Sequence, residues 1–157
     1  MMVLWLLHRK HAMSKEIEYK LESFQDALDE DLKIDGTRLQ YEVQNNVLLH
    51  SKWLRLYTNC KKEIMRLEIQ KKTSLKKRLD FYTGRGEPGD EVCMDQYEKS
   101  ELKTVMAADS SVIKIDTSIQ YWALLQDFCS SALDAVKARG FSLKNMLELR
   151  KFEAGEK

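Results

Sequence analysis

At 157 residues, with 43% hydrophobic and 32% charged side chains, the chain suffices for one domain with a buried core. One proline and six glycines are too few to punctuate many short strands, so an all-α fold of long helices is expected. The formal charge of +1 conceals an asymmetry: eight acidic residues against three lysines in 14–35, and nine basic residues against three acidic ones in 61–85. Near-neutrality overall therefore does not exclude a nucleic-acid partner, because the local footprint decides binding.

The chain opens on an apolar run, VLWLL at 3–7, that is too short for a signal segment or a membrane span and has its basic residues on the wrong side of it. Met13-Ser14-Lys15-Glu16 resembles a second start, so residues 1–13 are expected to be a flexible or over-annotated leader and 14–157 a single helical domain. Ser14 is the expected N-cap of a helix whose Ile17, Leu21, Phe24, Leu28 and Leu32 form a narrow seam beneath an acidic outer face. That face is read as solvated surface before it is read as a dock.

Asp35-Gly36-Thr37 breaks this helix, and Thr37 is the expected cap of a very long one that meets neither proline nor glycine before Gly84. A helix of that length spans about 70 Å at about 1.5 Å per residue, so it must lie against other helices. At 100° per residue Leu39, Val43, Val47, Trp53, Leu54, Tyr57, Cys60, Ile64, Met65, Leu75, Leu79 and Tyr82 share its apolar stripe. Cations nearly encircle its C-terminal half, with Lys72, Lys76, Lys77 and Arg78 prominent and Phe81 and Tyr82 beside them. Few of these lysines have a glutamate four residues before them, so they are poorly paired for a purely structural surface. Cations hold phosphates and rings stack bases, which is what a single strand requires.

Residues 84–90, GRGEPGD, are the one clear loop signal. Gly84-Arg85-Gly86 follows a helix and lacks a GK[ST] sequence, so it is no nucleotide-binding loop, although it lets Arg85 approach a phosphate. A short mixed helix is expected over Met94–Ala108. A central helix, apolar all round, is expected over Val112–Val136 and is ended by Gly140. Ser142 then caps a short C-terminal helix whose Leu143, Met146, Leu147, Leu149 and Phe152 are too apolar to stand alone; it packs back on the long helix or pairs with another subunit.

Cys60, Cys93 and Cys129 form no CxxC pair, and His8, His11 and His50 make no ligand set, so no disulfide framework, metal or other cofactor is expected. The chain has no nucleophile elbow, HExxH or phosphate loop, which makes a binding or assembly protein the better reading than an enzyme. The alternative to a nucleic-acid binder is a non-catalytic helical scaffold that binds only proteins.

The blocks KKEIMRLEIQKK, LKKRLDFYTGRG, MDQYEKSELKTV, DTSIQYWALLQDFCSSALDAVKARGF and FEAG resemble the UvsY recombination mediators of T-even-type phages, from about Ile34 to Gly155. The resemblance implies an all-helical, ring-forming homo-oligomer in the cytoplasm of the infected bacterium, with no membrane association. It also implies binding to single-stranded DNA and loading of the phage recombinase onto strands covered by the phage single-strand-binding protein. In the family a leucine-lysine-x-arginine-leucine-aspartate-aromatic motif carries DNA binding, and Leu75-Lys76-Lys77-Arg78-Leu79-Asp80-Phe81 matches it. The match carries the role to Lys76 and Arg78, with Lys72, Lys77, Arg85 and Phe81 in support. The family's C-terminal helix assembles the ring, which favours the inter-subunit role for Leu143, Met146, Leu147, Leu149 and Phe152. The segment before about Leu21 and the loop residues Glu87-Pro88-Gly89 depart from the family pattern.

Overall fold

The computed structural model describes residues 19–155, which are helical except for their connections. Helix α1 runs over residues 19–32 of the described chain, α2 over Leu39–Tyr82, α3 over Lys99–Ala107 and α4 over Ser110–Glu153. The expected leader, the Ser14 cap and Ile17 lie outside the described residues. The chain divides into two compact units, one comprising the described residues up to Thr58 together with those from Leu125 onward, the other Asn59–Leu124. Helices α2 and α4 contribute to both.

In the first unit α4 buries Leu125, Cys129, Ala132, Val136, Arg139 and Leu143, alternating steps of four and three residues. Helix α2 answers with Leu39, Glu42, the half-buried Asn46, Leu49 and Trp53, at steps of three and four. This is coiled-coil spacing, and it explains where the sequence-based stripe failed. A stripe drawn at 100° per residue drifts by about 20° per heptad from such a seam. Val43, Val47, Leu54 and Met65, expected inside, are exposed, whereas Leu49 and Leu67 are buried. Trp53 meets Phe24 of α1 and Phe128 of α4 edge-on at 6.1 and 6.0 Å, and its indole N–H donates to Asp31 at 2.9 Å. The acidic face of α1, with Glu22, Asp26 and Asp29, is exposed.

One layer of this seam is polar. The Arg139 guanidinium donates to the Lys33 carbonyl at 2.7 Å, to Asn46 Oδ1 at 3.1 Å and to the Glu42 carboxylate. The Asp35 backbone N–H and the Arg139 guanidinium hold the Glu42 carboxyl below its usual range against the opposing effect of burial. Asn46 completes the layer by donating to the Val136 carbonyl at 3.1 Å.

The expected break at Gly140 does not occur. Helix α4 passes through Gly140 without a positive φ, so there is no separate C-terminal helix and Ser142 caps nothing. Gly140 is required for close approach: a Cβ there would lie 3.1 Å from Asn46 Nδ2. The residue that leaves the helix in the left-handed region is Gly155, at φ 75°. Nor is α4 buried all round, since its apolar residues Ile113 and Leu124 are exposed.

The second unit packs the later half of α2 and the beginning of α4 around Cys60, Leu67 and Val112, all buried. Helix α3 starts later than expected. Glu98 and Glu101 form a capping box that accounts for the N-terminus at Lys99, and Met94 stands in the preceding loop.

Candidate nucleic-acid interface

The site lies within the second unit, on the last three turns of α2 and the loop that follows. Its framework is a polar cluster around Asp109, the residue before the first turn of α4. Asp109 Oδ1 accepts the Ser111 backbone N–H at 2.9 Å and the Ser111 hydroxyl, which is helix capping. Its Oδ2 accepts Arg78 Nε–H at 2.6 Å and the Tyr82 hydroxyl at 2.8 Å. Burial pushes the Asp109 carboxyl up, but the bonds from Ser111, Tyr82 and Arg78 outweigh it and hold the pKa down at about 2. The Tyr82 and Asp109 bonds likewise outweigh burial at Arg78 and raise its pKa.

Arg78 therefore does not stand as a free cation. Its side chain is 27% exposed, and the guanidinium carbon lies 4.2 Å from the centre of the Phe81 ring. Phe81 in turn meets Tyr82 edge-on at 5.0 Å, and Tyr82 meets Tyr97 at 5.9 Å. The rings and the arginine form one continuous stack, so Tyr82 belongs to the framework and Phe81, half-buried, to its edge.

Beside this framework opens a cleft of about 560 Å³. One wall is helical and carries Thr73, Lys76, Lys77, Arg78 and Phe81; the other is the loop, with Arg85, Glu87, Asp90 and Glu91. Lys76, Lys77 and Arg85 are exposed and form no ion pair among the described residues. Neighbouring cations on the same helix are committed: Lys71 pairs with Asp116 at 2.6 Å and Arg66 with Glu63 at 2.9 Å. Lys72 is exposed outside the cleft lining. The loop is shaped by two glycines with positive φ, Gly84 at 69° and Gly89 at 101°, and by a turn in which Asp90 Oδ2 accepts the Glu87 N–H at 3.1 Å.

The geometry thus brings Lys76, Lys77, Arg78, Phe81 and Arg85 together and leaves Lys72 on the flank. Sequence reasoning missed Asp109, whose Asp-Ser-Ser capping signature was visible but whose partnership with Arg78, 31 residues earlier, was not. It also missed the carboxylates that share the cleft. Among the residues expected at a subunit contact, Leu143 is 1% exposed and belongs to this chain's own core, because it occupies the next step of the α4 seam. Met146 is half-buried close to Gly36, whereas Leu147, Leu149 and Phe152 are exposed, the last at 81%.

Residues 27–156 match the family described as "Recombination, repair and ssDNA binding protein UvsY". The chain is 58% identical over 137 residues to "Recombination protein uvsY" of Enterobacteria phage T4, a match covering 87% of this chain and 99% of that protein. Crystal structures of the bacteriophage T4 recombination mediator protein UvsY share its fold. That of lattice type II has a TM-score of 0.75 at 58% identity, covering 85% of this chain and 97% of the other. That of lattice type IV has a TM-score of 0.76 at 55% identity, covering 84% and 98%.

Proposed function

The chain belongs to the UvsY family of recombination and repair proteins that bind single-stranded DNA, and we propose that its DNA contact is the cleft between the end of α2 and the loop after it. The observation that carries this reading is the set of exposed cations without ion-pair partners among the described residues, Lys76, Lys77 and Arg85, gathered beside the Phe81 edge. Lys76, Lys77 and Arg85 neutralise phosphates. Arg78 acts differently. Bound to Asp109, it holds Phe81 at the rim and fixes the helix end that presents the lysines. Phe81 offers a ring edge and the face turned from Arg78 to a base.

Assembled copies of the chain repeat this weak site along one strand, and effective concentration converts several weak contacts into tight binding. Leu149 and Phe152, the most exposed of the expected contact residues, supply the apolar contact between copies. In the cytoplasm of the infected bacterium such an assembly holds the strand ready for the phage recombinase while the single-strand-binding protein leaves. No hydrolysis is involved. Among the described residues no helix is long and apolar enough to cross a membrane.

The test is fluorescence anisotropy of a labelled oligonucleotide across a salt titration. Lys76→Ala/Lys77→Ala is expected to weaken binding and to make the log–log salt slope shallower by about 1.4, or about 0.7 for each phosphate no longer neutralised. Unchanged affinity and slope would move the DNA contact elsewhere, and no binding by the wild type at any salt would leave a scaffold that binds only proteins.

A further inference from the structure

A second cleft, in the first unit, carries features that the cleft beside Lys76 does not. It encloses about 570 Å³ where α2 begins, and is lined by Arg38, Gln40, Tyr41, Gln44, Leu147 and Arg150 together with Thr37 and Leu39. No carboxylate lines it, in contrast to the cleft beside Lys76, whose lining includes Asp80, Glu87, Asp90 and Glu91. Arg38 and Arg150 are both exposed. Arg150 is oriented by donating to the Gly36 carbonyl, and Arg38 lies with its guanidinium carbon 4.4 Å from the centre of the Tyr41 ring. Tyr41 is 50% exposed. Of the nearby acids, Asp35 is engaged by the Thr37 backbone N–H and hydroxyl, Glu42 by the Arg139 guanidinium and Glu148 by Lys144, and none of them lines the cleft.

We infer that this cleft is a second single-stranded nucleic-acid contact, in which Arg38 and Arg150 meet phosphates and the Arg38–Tyr41 pair forms a platform for a base. The inference rests on the reading that the chain binds single strands. Two guanidiniums in a carboxylate-free cleft select an anion, and a planar cation laid on an exposed ring is suited to a stacked base beside a phosphate. Gln40 and Gln44, one turn apart on the same helix, add amide donors and acceptors that tolerate any base edge. An acidic peptide would use the two arginines but not the ring, so the combination favours the nucleic acid.

The experiment uses the full chain and an oligonucleotide bearing 5-bromodeoxyuridine, with ultraviolet cross-linking followed by peptide mapping. Wild-type protein is expected to give cross-links in two peptides, one containing Tyr41 and one from the Lys76–Arg85 region. The Tyr41 cross-link is expected to persist in Lys76→Ala/Lys77→Ala. Arg38→Gln/Arg150→Gln is expected to lower affinity by about three- to tenfold and to make the salt slope shallower by about 1.4. In that variant circular dichroism and sedimentation mass are expected to be unchanged, and Arg150→Lys is expected to restore most of the binding. Cross-links confined to the Lys76 region, with wild-type affinity in the glutamine variant, overturn this inference while leaving the proposed function intact. Failure of the wild type to bind any strand overturns both. A glutamine variant that loses mass but keeps its affinity per protomer assigns the cleft to a second copy of the chain, and displacement of the oligonucleotide from Tyr41 by hexaglutamate alone assigns it to an acidic peptide. Either result also overturns the inference.

Discussion

Arg139–Glu42 in the first unit and Arg78–Asp109 in the second are both arginine–carboxylate pairs that tie the two long helices together, yet their surroundings give them opposite roles. The Arg139 side chain is 3% exposed, and its partners are a carboxylate, a side-chain amide and a backbone carbonyl inside an apolar seam. Arg78 stands at a rim with a ring on one side and a cleft on the other. A buried polar layer in a coiled-coil seam is a device for setting register, since a slipped pairing would leave its charges unpaired. The rim pair has nothing to align; it fastens the end of α2 to the start of α4 and so fixes what the lysines face. Similar chemistry thus sets register in one unit and fixes the rim of a cleft in the other.

The comparison can be broken first at the buried end. Arg139→Ala leaves Glu42 buried without its cation and is expected to cost about 3 to 5 kcal/mol, read as a lowered urea midpoint. Replacing the layer by Arg139→Met, Glu42→Leu and Asn46→Leu is expected to recover most of that stability. A large loss in this triple variant would show that the layer stabilises the fold beyond setting its register.

At the rim, Asp109→Ala removes a helix cap and the anchor of Arg78, for an expected loss of about 2 kcal/mol. The pair also makes stability depend on pH. The Asp109 pKa is about 2 in the folded chain against 3.8 for the free group, so its contribution is present above pH 4 and is lost as the pH falls toward 2. That contribution is on the order of 2 kcal/mol. Asp109→Asn should remove this part of the acid sensitivity, and an unchanged acid unfolding curve would contradict the assignment.

Gly140→Ala probes the polar layer more gently. Alanine gains about 1 kcal/mol of helix propensity over glycine, but its Cβ would press on Asn46 Nδ2 from 3.1 Å. Asn46 is held by Arg139 and by the Val136 carbonyl and has little freedom to retreat. A net loss of about 1 kcal/mol is expected, and a gain would mean that the amide moves freely.

The smallest effect belongs to the loop that faces Lys76 and Lys77. Neutralising its carboxylates in Glu87→Gln/Asp90→Asn/Glu91→Gln is expected to tighten single-strand binding by a few-fold at low salt, with no change in stability and with the gain vanishing at high salt. The same neutralisation at Glu22, Asp26 and Asp29 on α1 serves as the control; an equal gain there would reduce the effect to net charge.

Much of this was legible in residues alone. The near-absence of breakers and the apolar spacing announced long helices, and the block from Leu75 to Phe81 was among those that carried the family resemblance. The errors came where one residue has two physical uses. Gly140 reads as a helix terminator because glycine commonly ends helices, but here it makes room for Asn46. Arg139, one residue before Gly140, lies at the centre of a buried layer. Arg78, read as a phosphate ligand, also binds Asp109 through Nε and lies against Phe81, a pairing across 31 residues that no local pattern announces.

Residues alone announced that the chain is built of long helices, that a basic stretch ends in aromatics and a glycine-rich loop, and the family to which that pattern belongs. These are properties of neighbouring residues, set by propensity, periodicity and local charge. Only the tertiary structure decided which cations keep their charge available. That depends on carboxylates such as Asp109 and Asp116, which stand 31 and 45 residues away from their arginine and lysine partners. It also decided the period of the buried seam, because the difference between 3.5 and 3.6 residues per turn becomes visible only when one long helix is laid against another.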